Sequence, residues 1–387
     1  MNAVYSLNDF EMKAYPLPDT PSVMVPAFDK NNVAVCIVSS DEYAPFAGVV
    51  IHSLIMNCNP LHNYDIVILS DDMTMANHRR LSGLRNGNGN VSIRIVNIEN
   101  LIKNMTFYTW AHFTAKTYYR LLVPEIFANY PKVVYLDSDT VVNCDIAKMF
   151  NTDLDGYYMA AAYDTHIVGV CHMDEQIEQR VYNRDVLEMK NPDEYFQAGV
   201  SLYNVAAIKR DFEPGYLIKQ AAVHKLRWLD QDLINKLFHG KIKRLPIRWN
   251  VMVANVMHDV REFFLKPDLF KEYAEARLNP YIIHYVGRAI PCFSDTPDMF
   301  ERFWFYARQT PYYEVILQLL ATESVKRTAP LCFPLIPQSI VKERRSIRKR
   351  FKKIMDFFLP RGTKRRLFAY NIFVKIRGYG KVKINET

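Results

Sequence analysis

Residues 132–139 read KVVYLDSD, an apolar, β-branched run that breaks off on Asp137 and Asp139. Its length and composition predict a buried strand. Ligand sites in open α/β sheets lie beyond the carboxyl ends of the strands, so a strand ending in carboxylates delivers charge to the expected crevice. The flanking segments alternate in kind. VAVCIVSS (33–40) reads as a second fully buried strand, AGVVIHSLIMNC (47–58) as a helix, YDIVILS (64–70) as a strand and MANHRRLSGL (75–84) as a helix. The turn-rich GNGN (87–90) then leads into a strand VSIRIVNI (91–98). FTAKTYYRLLVPEIF (113–127) is expected to be helical as far as Pro124, EYFQAGVSLYNV (194–205) to be a strand, and WLDQDLINKLF (228–238) a helix opening with carboxylates. NPYIIHYVG (279–287) reads as a strand ending on His284, and MFERFWFYAR (299–308) as a helix. Strands alternating with helices indicate an α/β fold with a largely parallel sheet.

The chain has 387 residues, 49% of them hydrophobic and 23% charged, which suits a globular body rather than a disordered one. Six cysteines lie scattered with no CxxC pair, a pattern that does not suggest a zinc site or a disulfide framework and fits reduced, mostly buried thiols. The first residues carry acids and prolines where a secretion signal needs a basic start and an apolar run, and no stretch reaches the roughly 18 apolar residues that cross a bilayer.

Charge is unevenly placed. Residues 341–387 hold 16 Lys or Arg against Glu343, Asp356 and Glu386, a net of +13 in a chain totalling +8, so residues 1–340 carry −5. In this tail Ile347, Phe351, Ile354, Met355 and Phe358 recur at helical spacing among basic residues. That is the pattern of an interfacial helix on anionic lipid, or of a basic face packed by its apolar side onto the body. No recognised nucleic-acid motif accompanies it. Four regions are expected: an N-terminal arm (1–30), an α/β body (31–295), a helical extension (296–340) and the basic membrane-associating tail (341–387), with the break marked by Pro330, Pro334 and Pro337. The protein is expected in the cytoplasm, peripheral on the inner face of the cell membrane.

In an extended segment residues i and i+2 point the same way, so Asp137 and Asp139 can face one cation while Ser138 turns away. Carboxylates between buried runs are costly unless paired or metal-bound, which leaves a bound ion or a structural ion pair. His284 at the end of an apolar strand is a candidate third ligand or a satisfied core histidine; an imidazole suits manganese better than magnesium. Gly287 just beyond it permits close approach of a phosphate to the backbone. Asp230, Gln231 and Asp232 stand where a helix begins, a position where Asp is also an ordinary capping choice.

With these residues in view, the chain resembles family 8 glycosyltransferases, retaining enzymes of the GT-A fold. The resemblance spans roughly residues 33–292 and rests on VAVCIVSSDEY, TYYRLLVPEI, VVYLDSD, FQAGVSLYN and LDQDLIN, with HYVGRAIP as a weaker sixth segment. It implies a UDP-sugar donor, a divalent cation (Mn2+ or Mg2+) on Asp137, Asp139 and His284, and a glycan or glycolipid acceptor of the cell envelope. It also implies that Asp41 hydrogen bonds the uracil and Tyr43 stacks on it, with Val38, Ser40 and Ser138 in the nucleotide-binding set. Arg120 would contact the donor sugar or diphosphate. Gln197 and Ala198, where the family has Asn-Ala or Asn-Ser, would meet sugar hydroxyls. Asp230 and Gln231 would lie under the sugar as the catalytic pair, Gln231 near the anomeric carbon. The family's terminal HxxGxxKPW departs here: Ile290 stands at the lysine and Cys292 at the tryptophan, with Arg288 as a substitute cation.

The resemblance implies retention. Gln231 is a poor nucleophile, which favours front-face departure and attack with the leaving phosphate activating the acceptor hydroxyl. Two rivals stand beside this reading. A sugar nucleotidyltransferase also puts carboxylates at strand ends, but lacks support from any Gly-rich, Lys-bearing loop near the first strand. A degenerate nucleotide-sugar or glycan-binding protein is favoured by the missing lysine.

Overall fold

The computed structural model describes residues 23–109, 114–173, 178–253, 264–293 and 298–328. It divides into two units, Met1–Glu323 and Ser324–Thr387. Only residues 324–328 of the second are described, so the basic tail and the proline cluster lie outside the described residues.

Among the described residues ten strands form two sheets: β1 (Asn32–Val38), β2 (Asn63–Ser70), β3 (Val91–Asn97), β4 (Lys132–Asp137), β5 (Thr140–Val142), β6 (Met159–Tyr163), β7 (Phe196–Asn204), β8 (Ile242–Arg244), β9 (Val251–Val253) and β10 (Ile282–Tyr285). The larger sheet runs in the order β3-β2-β1-β4-β7-β6-β8 and the smaller in the order β5-β10-β9. In the larger sheet β7 alone is antiparallel to its neighbours. The remaining six strands all run the same way.

Why these segments are strands is visible in β1. Ala34, Cys36 and Val38 join one hydrophobic cluster while Val33, Val35 and Ile37 join another, so successive side chains feed cores on opposite faces of the sheet. A sheet covered on both faces needs continuous apolar runs rather than alternation. Full burial is worth roughly 1.5–3 kcal/mol for each Val or Ile side chain, enough to hold such a run inside. The helix Ala44–Met56 covers one face, and Phe303, Tyr306, Ala307, Tyr312 and Ile316 from the chain beyond residue 296 pack into the same cluster. Gly48 is required there, because a Cβ at this position would meet the ring of Tyr312 at 2.6 Å.

Two local expectations are corrected. Residues 115–122 form a 3-10 helix, and Pro124 sits in the first turn of the α-helix Val123–Ile126 instead of ending a helix. Proline needs no N–H partner in a first turn and its fixed φ suits that place, so it opens helices as readily as it stops them. The DSD triplet is likewise not an extended segment: β4 ends at Asp137, and Ser138 and Asp139 form a turn into β5.

Candidate functional site

The parallel strands β1, β2, β4 and β6 all finish at one edge, each ending on or shortly before a carboxylate: Asp41, Asp71, Asp137 and Asp164. Reversed β7 begins at that edge with Phe196, Gln197 and Ala198. The small sheet completes the arrangement. β10 pairs antiparallel with β5 so that His284 lies opposite Thr140, and the Tyr285 N–H donates to the carbonyl oxygen of Asp139 at 2.9 Å. Pairing of strands distant in sequence therefore brings His284 to the acidic turn.

Asp137, Asp139 and His284 each offer one ligand atom, all within 4.8 Å of one another. Nε2 of His284 is 3.1 Å from Oδ1 of Asp139 and 3.7 Å from Oδ2 of Asp137. Oδ1 of Asp137 is already engaged, accepting from Nη2 of Arg120 at 2.9 Å and from the Tyr135 hydroxyl at 2.8 Å. Oδ1 of Asp139 is buried, and no hydrogen-bond donor among the described residues satisfies it. Burial opposes charge on the His284 ring, but Asp139 and then Asp137 outweigh it and hold its pKa above the ordinary range. Two oxygens and a ring nitrogen turned toward one point fit a hard or borderline divalent cation. Gly199 makes the room: a Cβ there would lie 2.5 Å from Cε1 of His284 and closer still to Oδ2 of Asp137.

Arg120 is buried and bridges two carboxylates, Asp137 and, through Nε at 2.9 Å, Oδ2 of Asp230. It also lies 4.8 Å from the ring centre of Tyr135. Burial works against its charge, yet Asp137 and Asp230 raise its pKa further above the usual value. Asp230 accepts a second, short hydrogen bond from the Thr117 hydroxyl. Its pKa is pushed up to about 6 by burial, in spite of Arg120 and Thr117.

Gln231 is held at both ends of its amide. Oε1 accepts from the Ala198 N–H at 3.1 Å and Nε2 donates to Oδ2 of Asp164 at 3.0 Å. Asp232 is the helix-start carboxylate of the bland kind: it accepts from the Trp228 N–H and from the hydroxyls of Tyr182 and Tyr195. Gln197 does not turn its carbonyl outward. Its Oε1 accepts from the Gly199 N–H at 2.6 Å and from Nδ2 of Asn250 at 2.7 Å.

A second group forms beyond β1. Oδ1 of Asp41 accepts from the Thr74 N–H at 2.8 Å, from the Thr74 hydroxyl at 2.7 Å and from Nδ2 of Asn77 at 2.8 Å. Burial raises its pKa, but these donors more than offset that and leave it lowered. Oγ of Ser40 accepts from the Tyr43 N–H, and the exposed Tyr43 ring meets Phe46 edge to face. Val38 pairs in register with Asp137, which links the two groups through neighbouring strands. Ser138 is half-buried in the acidic turn. Gly287 is exposed with φ +65°, a conformation that favours glycine. The side chain of Arg288 lies outside the described residues, and Ile290 is fully buried.

A family model, glycosyl transferase family 8, matches residues 34–292. The chain belongs to glycosyl transferase family 8. The chain is similar to the apo structure of the bifunctional glycosyltransferase WbbM at 33% identity and a TM-score of 0.70, covering 77% of this chain and 53% of that one. A structure of the galactosyltransferase LgtC with donor and acceptor sugar analogues matches at 24% identity and a TM-score of 0.58, over 72% of this chain and 96% of that one, and shows the GT-A fold. A Haemophilus influenzae protein whose name assigns it provisionally to the glycosyltransferases is 28% identical over 218 residues, 55% of this chain and 62% of its own length. The chain thus spans little more than half of WbbM and under two thirds of the H. influenzae relative.

Four residues of this edge escape a reading of the sequence: Asp71, which directly follows β2, and Asp164, Tyr135 and Asn250. Asp164 carries the same signal as Asp137, a carboxylate closing the apolar strand MAAAY. Tyr135 is two residues before Asp137 on β4, where strand alternation puts it on the same face. Asn250 has no local signature; only tertiary pairing brings it to His284, with Oδ1 3.1 Å from Nδ1.

Proposed function

We propose that this protein is a retaining hexosyltransferase that moves glucose or galactose from a UDP-sugar to a glycan or glycolipid of the cell envelope. The observation that carries this reading is the convergence of Asp137, Asp139 and His284 at the carboxyl edge of a family 8 sheet. A bound divalent cation, manganese foremost, would supply electrostatic stabilisation of the diphosphate leaving group. Asp137, Asp139 and His284 would hold it. Arg120, fixed between Asp137 and Asp230, presents positive charge beside the same diphosphate. Asp41 and Tyr43 take the uracil. Gln231, clamped by Ala198 and Asp164, lies under the sugar; as a neutral amide it is a weak nucleophile, which favours departure and attack on one face of the ring. The proton of the attacking hydroxyl passes to the leaving phosphate oxygen. The +13 tail supports an acceptor presented at an anionic membrane surface. No helix among the described residues is long and apolar enough to cross a membrane.

Release of free UDP from UDP-glucose and UDP-galactose, with manganese and with chelator, tests the proposal against Asp139→Ala. Chelator-sensitive release from one donor, abolished in the variant, is expected. UDP-sugar binding without release would overturn the transferase in favour of a binding protein, a reading to which the fully buried Ile290 at the family's lysine position lends weight.

A further inference from the structure

The metal-facing nitrogen of His284 is selected by a chain of hydrogen bonds whose polarity starts at a backbone amide. The Gly199 N–H can only donate, and it donates to Oε1 of Gln197 at 2.6 Å. That oxygen is therefore the acceptor end of the Gln197 amide. Asn250, 2.7 Å away, must present its NH2 to it. The Asn250 amide is then oriented, and its Oδ1 is the atom 3.1 Å from Nδ1 of His284. A carbonyl oxygen cannot donate, so Nδ1 carries the hydrogen and the Nε2 lone pair of the neutral ring is left facing Asp139 and Asp137. All three side chains are buried, Asn250 to 1% exposure, Gln197 to 7% and His284 to 2%, so water does not compete for these bonds.

We propose that Gln197 and Asn250 are positioning residues for the cation: the order Gly199, Gln197, Asn250, His284 sets the tautomer and angle of the imidazole and thereby the affinity of the site. The inference rests on the metal-binding reading above and deepens it. It also gives a reason for the glutamine at position 197. Its extra methylene lets one carbonyl reach the Asn250 amide while still accepting the Gly199 N–H; an asparagine carbonyl would stop short. Partners that orient ligating histidines in this way typically change metal affinity 10–100-fold when removed.

The test uses the full chain and Mn2+ alone, titrated against the electron paramagnetic resonance signal of the free ion, beside long-range 1H–15N spectra of the metal-free protein with labelled histidine. Asn250→Leu is expected to weaken Mn2+ binding about 10–100-fold and to move the neutral His284 ring toward the Nε2–H tautomer. Asn250→Asp keeps the acceptor toward Nδ1 but gives up the NH2 that Gln197 accepts, so it should fall, like Gln197→Asn, between wild type and Asn250→Leu. Should Asn250→Leu fail to fold, the Asp and Gln197→Asn variants carry the test. Wild-type affinity and tautomer in both Asn250→Leu and Gln197→Asn, or an Asn250→Asp loss as large as that of Leu, would overturn the positioning role while leaving the metal site standing. A wild type that binds no Mn2+, or an Asp139→Ala that binds as wild type does, would instead remove the metal reading and this inference together.

Discussion

The guanidinium of Arg120 is tied to Oδ1 of Asp137 at 2.9 Å, whereas Oδ2 is the oxygen 3.7 Å from Nε2 of His284, so the arginine leaves that second oxygen open to a cation the three residues could hold. The same side chain reaches Asp230 at 2.9 Å. Removing one member of a buried ionic group leaves uncompensated charge, which costs about 3–5 kcal/mol. Arg120→Gln is expected to lose stability of that order in urea denaturation and to lose UDP release. Arg120→Lys should recover little, because a single ammonium does not span both carboxylates as a planar fork does. Full activity in Arg120→Lys would contradict the bridging role.

Gly199→Ala tests the packing beneath the acidic turn. A methyl there displaces Asp137 and the His284 ring together. Manganese affinity should drop at least tenfold, on the order seen when ligand orientation is disturbed, while far-ultraviolet circular dichroism stays that of the wild type.

Asp230 predicts a pH dependence of stability in the metal-free protein. Its carboxyl titrates near 3.8 when solvated and at about 6 in the fold. A raised folded pKa contributes stability that is complete below 3.8 and lost as the pH rises through about 6. Asp230→Asn mimics the protonated form at every pH, so the variant should gain on the wild type between pH 4 and pH 7.5 by up to roughly 3 kcal/mol. Parallel stability curves for the two proteins would refute the assignment.

Ile290 stands where family 8 has a lysine, and restoring the family residue should not restore a phosphate contact. The side chain is fully buried in the cluster that also holds Tyr285 and Phe303. Ile290→Lys would bury an unpaired ammonium, so a thermal shift downward, by about 2 kcal/mol or more, is expected with no gain in UDP release.

Much of this was legible beforehand because it is local. Apolar runs such as VAVCIV and YDIVILS read as buried strands because they are short and rich in β-branched residues, and the carboxylates beyond them point to the working edge. The sequence points to Asp137, Asp139 and His284 as one set, but strand alternation is not what brings the first two together; a turn at Ser138 and Asp139 is. Segment 115–127 departs from its expected form because proline, which can stop a helix, here opens one. The place of Asn250 and the orientation of its amide are not legible at all, since they depend on hydrogen bonds to Gln197 and His284, 53 and 34 positions away.

The single reversed strand has a consequence for how such a protein can diversify. Because β7 enters the sheet at the working edge, the chain between Asp164 and Tyr195 must leave and return on that same side, and it does so through the helices Thr165–Met173 and Glu178–Asp185. Insertions or deletions in this excursion would change the border of the carboxylate-bearing edge without shifting the β6–β7 or β4–β7 ladders. The length of this segment can therefore vary while Leu136 and Val200 keep their register beside Asp137 and Gln197.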